Sequence, residues 1–243
     1  MNSWPGRRTR GTALVLTAHT ADDQAETVLL NLLRGGGAGG LGGMRPVRDL
    51  SSVGDAPIIR LVRPLLAWAR RDATQKYCLA RGVEFRSDAM NDDAMYARVR
   101  ARQQLIPLLE TFNPRAVEAL ARGADLLRED AATLDEFAAQ LLSAAKLHAP
   151  GAENSAARST PVALRVKILV AARPALRRRA LRQWIAEARG DLRRIQLSHV
   201  LALEKLLDDR GGGRTAELPG GYSVERRRGE IRIMFKTVDK DGG

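Results

Sequence analysis

The stretch "LTAHTADDQAETVLLNLLRGGGAGGLGGM", Leu16 to Met44, sets a histidine and three acids beside the start of one helix and a run of glycines after its end. Just before His19, Thr12 to Ala18 is a compact β-branched and aliphatic run, the pattern of a buried strand in a parallel sheet. From about Asp22 to Arg34, Ala25, Val28, Leu29, Leu32 and Leu33 recur as one apolar stripe at helical spacing. A strand that leads directly into a helix is the α/β unit, and ligands of such sheets bind beyond the carboxyl ends of the strands. His19 and Asp22 sit at that edge. Local physics explains part of the acidity. Thr20 and Asp23 have the capping-box spacing, and acids in a first turn complement the positive end of the helix dipole. The surplus carboxylates and His19 remain as candidates for chemistry. A carboxylate at Asp22, Asp23 or Glu26 can hold an ammonium, orient a metal or accept a proton, and His19 can contact a phosphate or a base. Gly35 to Gly43 would let a backbone approach a substrate closely, or would form a plain surface loop.

Working outward, "APIIRLVRPLL" (Ala56 to Leu66) reads as an extended segment, followed by an amphipathic helix from about Leu66 to Arg81 closed by Gly82 and a short strand "VEFRSD". In "DAMNDDAMYARVRARQQLIPLLE", Asp88, Asn91 and Asp92 are turn or cap residues before a helix that carries Arg98, Arg100 and Arg102, with Leu105 and Leu108 facing a core. Alternate arginines splay over more than one side of a helix, so the three cannot all serve one small pocket. Arg63 precedes a proline that fixes its direction, and these arginines suit phosphates, although bare arginines also make ordinary solvated surface. Beyond Pro114 the pattern becomes Ala/Leu/Arg helical: Arg115 to about Leu147, a Pro/Gly/Ser-rich joint at "HAPGAENSAARSTP", then Ala172 to Asp209. The stretch Arg173 to Arg194 is dense in arginine around Trp184, which is expected to pack in a core. Alternating segments after Gly211 to Gly213 predict a terminal hairpin. His148 and His199 have no partners at metal-ligand spacing.

The chain has 243 residues and a formal charge of +12, so a polyanion, most naturally nucleic acid, is an expected partner; a solvated basic surface is the alternative. Its one cysteine, Cys78, cannot form an internal disulfide, which points to a reduced, cytoplasmic setting. No apolar run approaches the roughly 18 residues of a membrane span.

Taken together these residues resemble the tRNA(Ile)-lysidine synthetases, a branch of the N-type ATP pyrophosphatase (PP-loop) superfamily. The carriers are His19, Asp22-Asp23-Gln24, Glu26-Thr27, Arg34-Gly35, Gly40-Leu41 and Gly43-Met44, then Arg63-Pro64-Leu65-Leu66 and Arg98, Arg100 and Arg102 ending in "IPLLE". The resemblance implies an α/β fold: part of a parallel-sheet PP-loop ATPase domain, then a mainly helical tRNA-binding domain with a short terminal hairpin. The corresponding segments are 1–112, a helical connector at 113–147, and 160–236. It also implies an ATP-dependent carbon–nitrogen ligase. ATP, with Mg²⁺, adenylates O2 of the wobble cytidine of a tRNA(Ile) with a CAU anticodon; free L-lysine then attacks C2 and expels AMP. The residues expected at the reaction are His19, Asp22, Asp23 and Glu26, with Arg34, Gly35, Arg63, Arg98, Arg100 and Arg102 toward the tRNA and other substrates.

This sequence departs from that pattern in two ways. The family binds ATP through an S-G-G-x-D-S loop that is not found before His19, and Val99 stands where many members carry asparagine. The expectation is a chain incomplete in its ATP loop, from a late start, a degraded gene or a split enzyme, whose partner is a missing N-terminal half or a second copy in a homodimer. A tRNA-binding protein without catalysis is the second reading. A sulfur-transferring PP-loop relative is the third, disfavoured by the single cysteine.

Overall fold

The structure, a computed structural model, describes residues 13–50, 59–83, 95–147, 163–208 and 215–235. The lead-in before Ala13, most of "VEFRSD" with Asp88, Asn91 and Asp92, the joint containing His148, and Gly211 to Gly213 lie outside the described residues. The chain divides into two compact units between Ala131 and Ala132, inside the long helix Ala116–Ala145.

The first unit contains β1 (Ala13–Leu16), α1 (Ala21–Leu33), the short turn of helix α2 (Ala38–Leu41), β2 (Val47–Leu50), β3 (Ile59–Val62) and α3 (Arg71–Ala80). It continues with α4 (Ala97–Arg100), a π-helical stretch Ala101–Leu105, α5 (Ile106–Phe112) and the start of α6 (Ala116–Ala145). The sheet order is β1-β3-β2. β1 runs parallel to β3 and β2 antiparallel to it, so the sheet is mixed. The β1 strand is shorter than the sequence pattern and, contrary to the buried strand expected, its four residues are exposed, as are the first two of the central strand β3.

α1 begins where predicted, with Thr20 and Asp23 forming a capping box. Ala25, Val28 and Leu29 of its stripe are buried, and Ala21, Ala25 and Leu29 pack with Ile106 and Val117; Leu32 and Leu33 are exposed. On the arginine helix, Leu105 and Leu109 pack against this cluster while Leu108 is exposed. Leu109, four residues after Leu105, continues its face of the helix, whereas Leu108 falls to the side of it.

The glycine loop after α1 is pinned down at one end. Gln24, almost fully buried, accepts the Met44 N–H at 2.8 Å and donates to the Met44 carbonyl at 3.1 Å. Arg128 of α6 donates to the carbonyls of Gly42 at 2.8 Å and Met44 at 3.1 Å, and Asn31 donates to Gly40 at 2.8 Å. Gly43 is obligatory here: its φ is +60°, and a Cβ would stand 2.7 Å from the Gln24 Oε1.

The second unit holds the rest of α6, β4 (Leu164–Arg165), α7 (Val166–Ala171), α8 (Pro174–Arg189), α9 (Leu197–Leu207), β5 (Thr215–Leu218), β6 (Tyr222–Arg227) and β7 (Glu230–Phe235). The block expected as continuous from Ala172 to Asp209 is broken by Gly190, which ends α8 at φ +80° with its N–H on the Ala186 carbonyl. The expected hairpin is β6–β7, extended into an antiparallel sheet of order β4-β7-β6-β5. Trp184, Leu181, Ile185, Leu203, Val224 and Ile231 are buried together in the core of this unit. Arg226 reaches in to cap the end of α9, donating to the Leu206 carbonyl at 2.9 Å and to that of Asp208. His199 serves the fold at the start of α9, where its Nδ1 accepts the Gln196 N–H.

Candidate functional site

The site forms where β1 gives way to α1. The Thr17 N–H reaches the Val62 carbonyl at 3.0 Å, extending the pairing with β3 past the end of the strand. Its hydroxyl lies 2.9 Å from Nδ1 of the half-buried His19, which anchors the ring by that atom and leaves Nε2 for a ligand.

The three acids that follow have different surroundings. Asp22 accepts the backbone N–H of Arg71 at 2.7 Å and the Arg70 Nε at 3.2 Å. An acid of α1 therefore caps α3, which is why that helix starts at Arg71 and not near Leu66 as the sequence pattern suggests. Asp23 accepts the N–H of Thr20 at 2.8 Å, its hydroxyl at 2.9 Å, and the Arg71 Nη2 at 2.7 Å. Glu26 is completely buried and meets three guanidiniums: Arg71 at 3.0 Å, Arg102 at 2.8 Å and Arg98 at 3.5 Å. Arg70 extends the network to Glu110 of α5 at 3.0 Å and Glu118 of α6 at 2.9 Å.

The electrostatics follow from these contacts. Burial by itself raises the Asp23 pKa, but the Thr20 N–H, the Arg71 charge and the Thr20 hydroxyl outweigh it and hold the carboxyl below its ordinary value. Burial opposes the charge of Arg70 as well, and its bonds to Glu118 and Glu110 and the charge of Asp22 more than reverse this, raising its pKa. Arg71 is likewise raised against burial by Asp23 and Glu26. Glu118 is lowered, its own burial opposed by a backbone N–H and by Arg70.

Arg98 and Arg102, four residues apart, converge on Glu26, and Arg98 also donates to the Thr27 hydroxyl at 3.1 Å. Arg100 between them is exposed. Arg34 and Gly35 are exposed at the end of α1, Gly35 with φ +76°, and Arg63 lies after β3, where it donates to the Arg45 carbonyl at 2.8 Å; among the described residues none of these three contacts the acids. Sequence reasoning missed Arg70, Arg71, Glu110 and Glu118. A signal existed for the first two: adjacent arginines at the start of a helix oppose its dipole unless carboxylates come from elsewhere.

These acids do not fit a resident Mg²⁺. Each of Asp22, Asp23 and Glu26 is bonded to arginine, and among the described residues no group of three His, Cys, Asp or Glu could hold a metal. What the arrangement offers is a dense, rigid set of guanidiniums and carboxylates beside a histidine with one open nitrogen. That chemistry suits anionic groups and a proton transfer.

A parallel strand pair, a capped helix at its carboxyl edge and a charged cluster at that junction define an α/β type of domain, and residues 7–109 match the family model described as PP-loop domain. Residues 164–232 match the TilS substrate binding domain. Proteins named tRNA(Ile)-lysidine synthase from Geobacter sulfurreducens, Salinispora tropica and Leifsonia xyli subsp. xyli are 37%, 40% and 41% identical to the chain, covering 94%, 92% and 95% of it. Over most of its length the chain is similar to proteins of that name. It spans 45%, 62% and 63% of the length of those three relatives. Among the described residues, no helix is long and apolar enough to cross a membrane.

Proposed function

We propose that the chain acts as a tRNA(Ile)-lysidine synthetase, joining lysine to C2 of the wobble cytidine of a CAU-anticodon tRNA(Ile). In this reading ATP transfers AMP to O2 of the cytosine with loss of pyrophosphate, and lysine Nζ displaces AMP at C2, releasing one proton. Segments 1–112, 113–147 and 160–236 serve as nucleotide-binding domain, connector and substrate-binding domain, and the setting is the cytoplasm, where tRNA and ATP are met. Mg²⁺ arrives with the polyphosphate of ATP, as part of the substrate.

The observation that carries the reading is the convergence on α1 of the two motifs that resemble the family. Glu26 of the H-x-x-D-D-x-x-E element is bonded to Arg98 and Arg102 of the R-x-R-x-R element, 72 and 76 positions later in the chain. His19 Nε2 is the group that meets the reacting base or the released proton. Asp22, Asp23 and Glu26 act through the arginines they hold, fixing Arg70, Arg71 and Arg102 against the reacting edge. Arg34, Gly35, Arg63, Arg98 and Arg100 face tRNA phosphates.

The test is ATP-dependent incorporation of labelled lysine into a CAU-anticodon tRNA(Ile), with AMP release followed in parallel. It is run on the chain alone and with a polypeptide carrying an S-G-G-x-D-S loop added. Incorporation in either arm, lost in His19→Asn at unchanged melting temperature, is expected. A folded chain that transfers no lysine in both arms overturns the reading.

A further inference from the structure

A second group of arginines lies apart from the network on α1. A half-open cleft of about 710 Å³ is lined by Arg45, Arg48, Arg60 and Arg63, by Asp49, and by Gly43 and Met44 from the glycine loop. The β2–β3 register creates it. Asp49 stands opposite Arg60, and the Arg60 Nε donates to it at 2.7 Å, so the one acid of the cleft among the described residues is already engaged. Beyond the strand ends, the Arg63 N–H reaches the Pro46 carbonyl at 2.8 Å and its Nη1 the Arg45 carbonyl at 2.8 Å, which fixes the guanidinium. The Arg63 Nε is buried without a hydrogen-bond partner. Arg45 and Arg48 are exposed and have no carboxylate partner among the described residues.

Four guanidiniums against one neutralised carboxylate select an anion, and their planar forks suit phosphate oxygens. Among the described residues the lining lacks an aromatic side chain on which a base could stack, so the recognised feature is a phosphate backbone without sequence. The cleft is physically joined to the candidate site, since Gly43 and Met44 line it and Gln24, next to Asp23 on α1, clamps Met44. We propose that the β2–β3 cleft is a track for the RNA phosphate backbone, holding the strand on the approach to the site at α1. This rests on the lysidine-synthetase reading for the identity of the RNA.

Binding is measured by fluorescence anisotropy of a synthetic CAU-loop RNA hairpin across a salt series. The proteins are wild type, Arg45→Gln/Arg48→Gln and Arg45→Lys/Arg48→Lys. The Gln pair is expected to weaken binding alike for the CAU hairpin and one with a scrambled loop, and to flatten the logarithmic salt slope by roughly 0.7 to 0.9 per arginine removed, with the Lys pair restoring it. Neither side chain makes a contact that the fold needs, and circular dichroism checks that. An unchanged slope in the Gln pair overturns the track even if wild type transfers lysine, whereas a wild type that binds RNA but transfers no lysine, alone or with the added S-G-G-x-D-S polypeptide, leaves the track standing and removes the enzyme reading. If inorganic tripolyphosphate loses affinity for the Gln pair while RNA does not, the cleft serves a small polyphosphate and the proposal is wrong.

Discussion

Glu26 concentrates the energetics of the site at one atom pair. A carboxylate with no solvent exposure is stable only because three guanidiniums replace its water, and those guanidiniums are in turn held by it. Glu26→Gln leaves them facing a neutral amide, and urea denaturation should show a loss of about 3 kcal/mol, within the range for breaking a buried ion pair. Gly43 is set by a different force, steric exclusion. Gly43→Ala combines a positive φ with a clash on Gln24, while Gly39→Ala meets open space on a short helix. Melting curves should show the first strongly destabilised and the second unchanged or slightly stabilised. Asp23 supplies a pH dependence with a definite sign. Its folded pKa lies below the ordinary 3.8, so its contribution is complete above that value and is lost as pH falls through the lower, folded one. The stability gap between wild type and Asp23→Asn should therefore narrow as pH falls below about 4, and a gap that stays constant would argue that the Arg71 and Thr20 contacts do not matter.

At the scale of elements, β1 is an edge strand with Leu14 63% and Leu16 67% exposed. Exposed apolar strand edges template pairing with other chains, so light scattering should show concentration-dependent association that Leu16→Lys suppresses. What the sequence revealed and what it hid divide cleanly here. The start of α1 was legible because Thr20, Asp23 and the apolar stripe are local signals, and the three acids with His19 were found by their position at a strand end. The start of α3 was not, since Asp22 fixes it from 49 residues away. Arg70 and Arg71 escaped notice because their partners lie on α1, α5 and α6, brought together only by tertiary folding.

At the scale of the whole molecule, the two units differ in how much they bury. The cluster around Ala21, Ala25, Leu29, Ile106 and Val117 is small, and much of the remaining order in the first unit comes from ion pairs and the clamped glycine loop. The second unit has a larger core, with Trp184, Leu181 and Ile185 of α8 against Leu203, Val224 and Ile231. Amides of α8 and β6 should consequently exchange with solvent more slowly than those of α1, as hydrogen-exchange mass spectrometry would show; equal protection would mean a single cooperative unit. The cationic side chains behind the formal charge of +12 also divide into two populations. Arg70, Arg71 and Arg102 are locked onto carboxylates at contact distance, where dissolved ions intrude little, whereas Arg45, Arg48 and Arg100 are open to solvent. For anyone handling the protein, this makes co-purifying host nucleic acid a contaminant to expect at low ionic strength, and a brief high-salt wash the way to strip it while the internal guanidinium lattice keeps its shape.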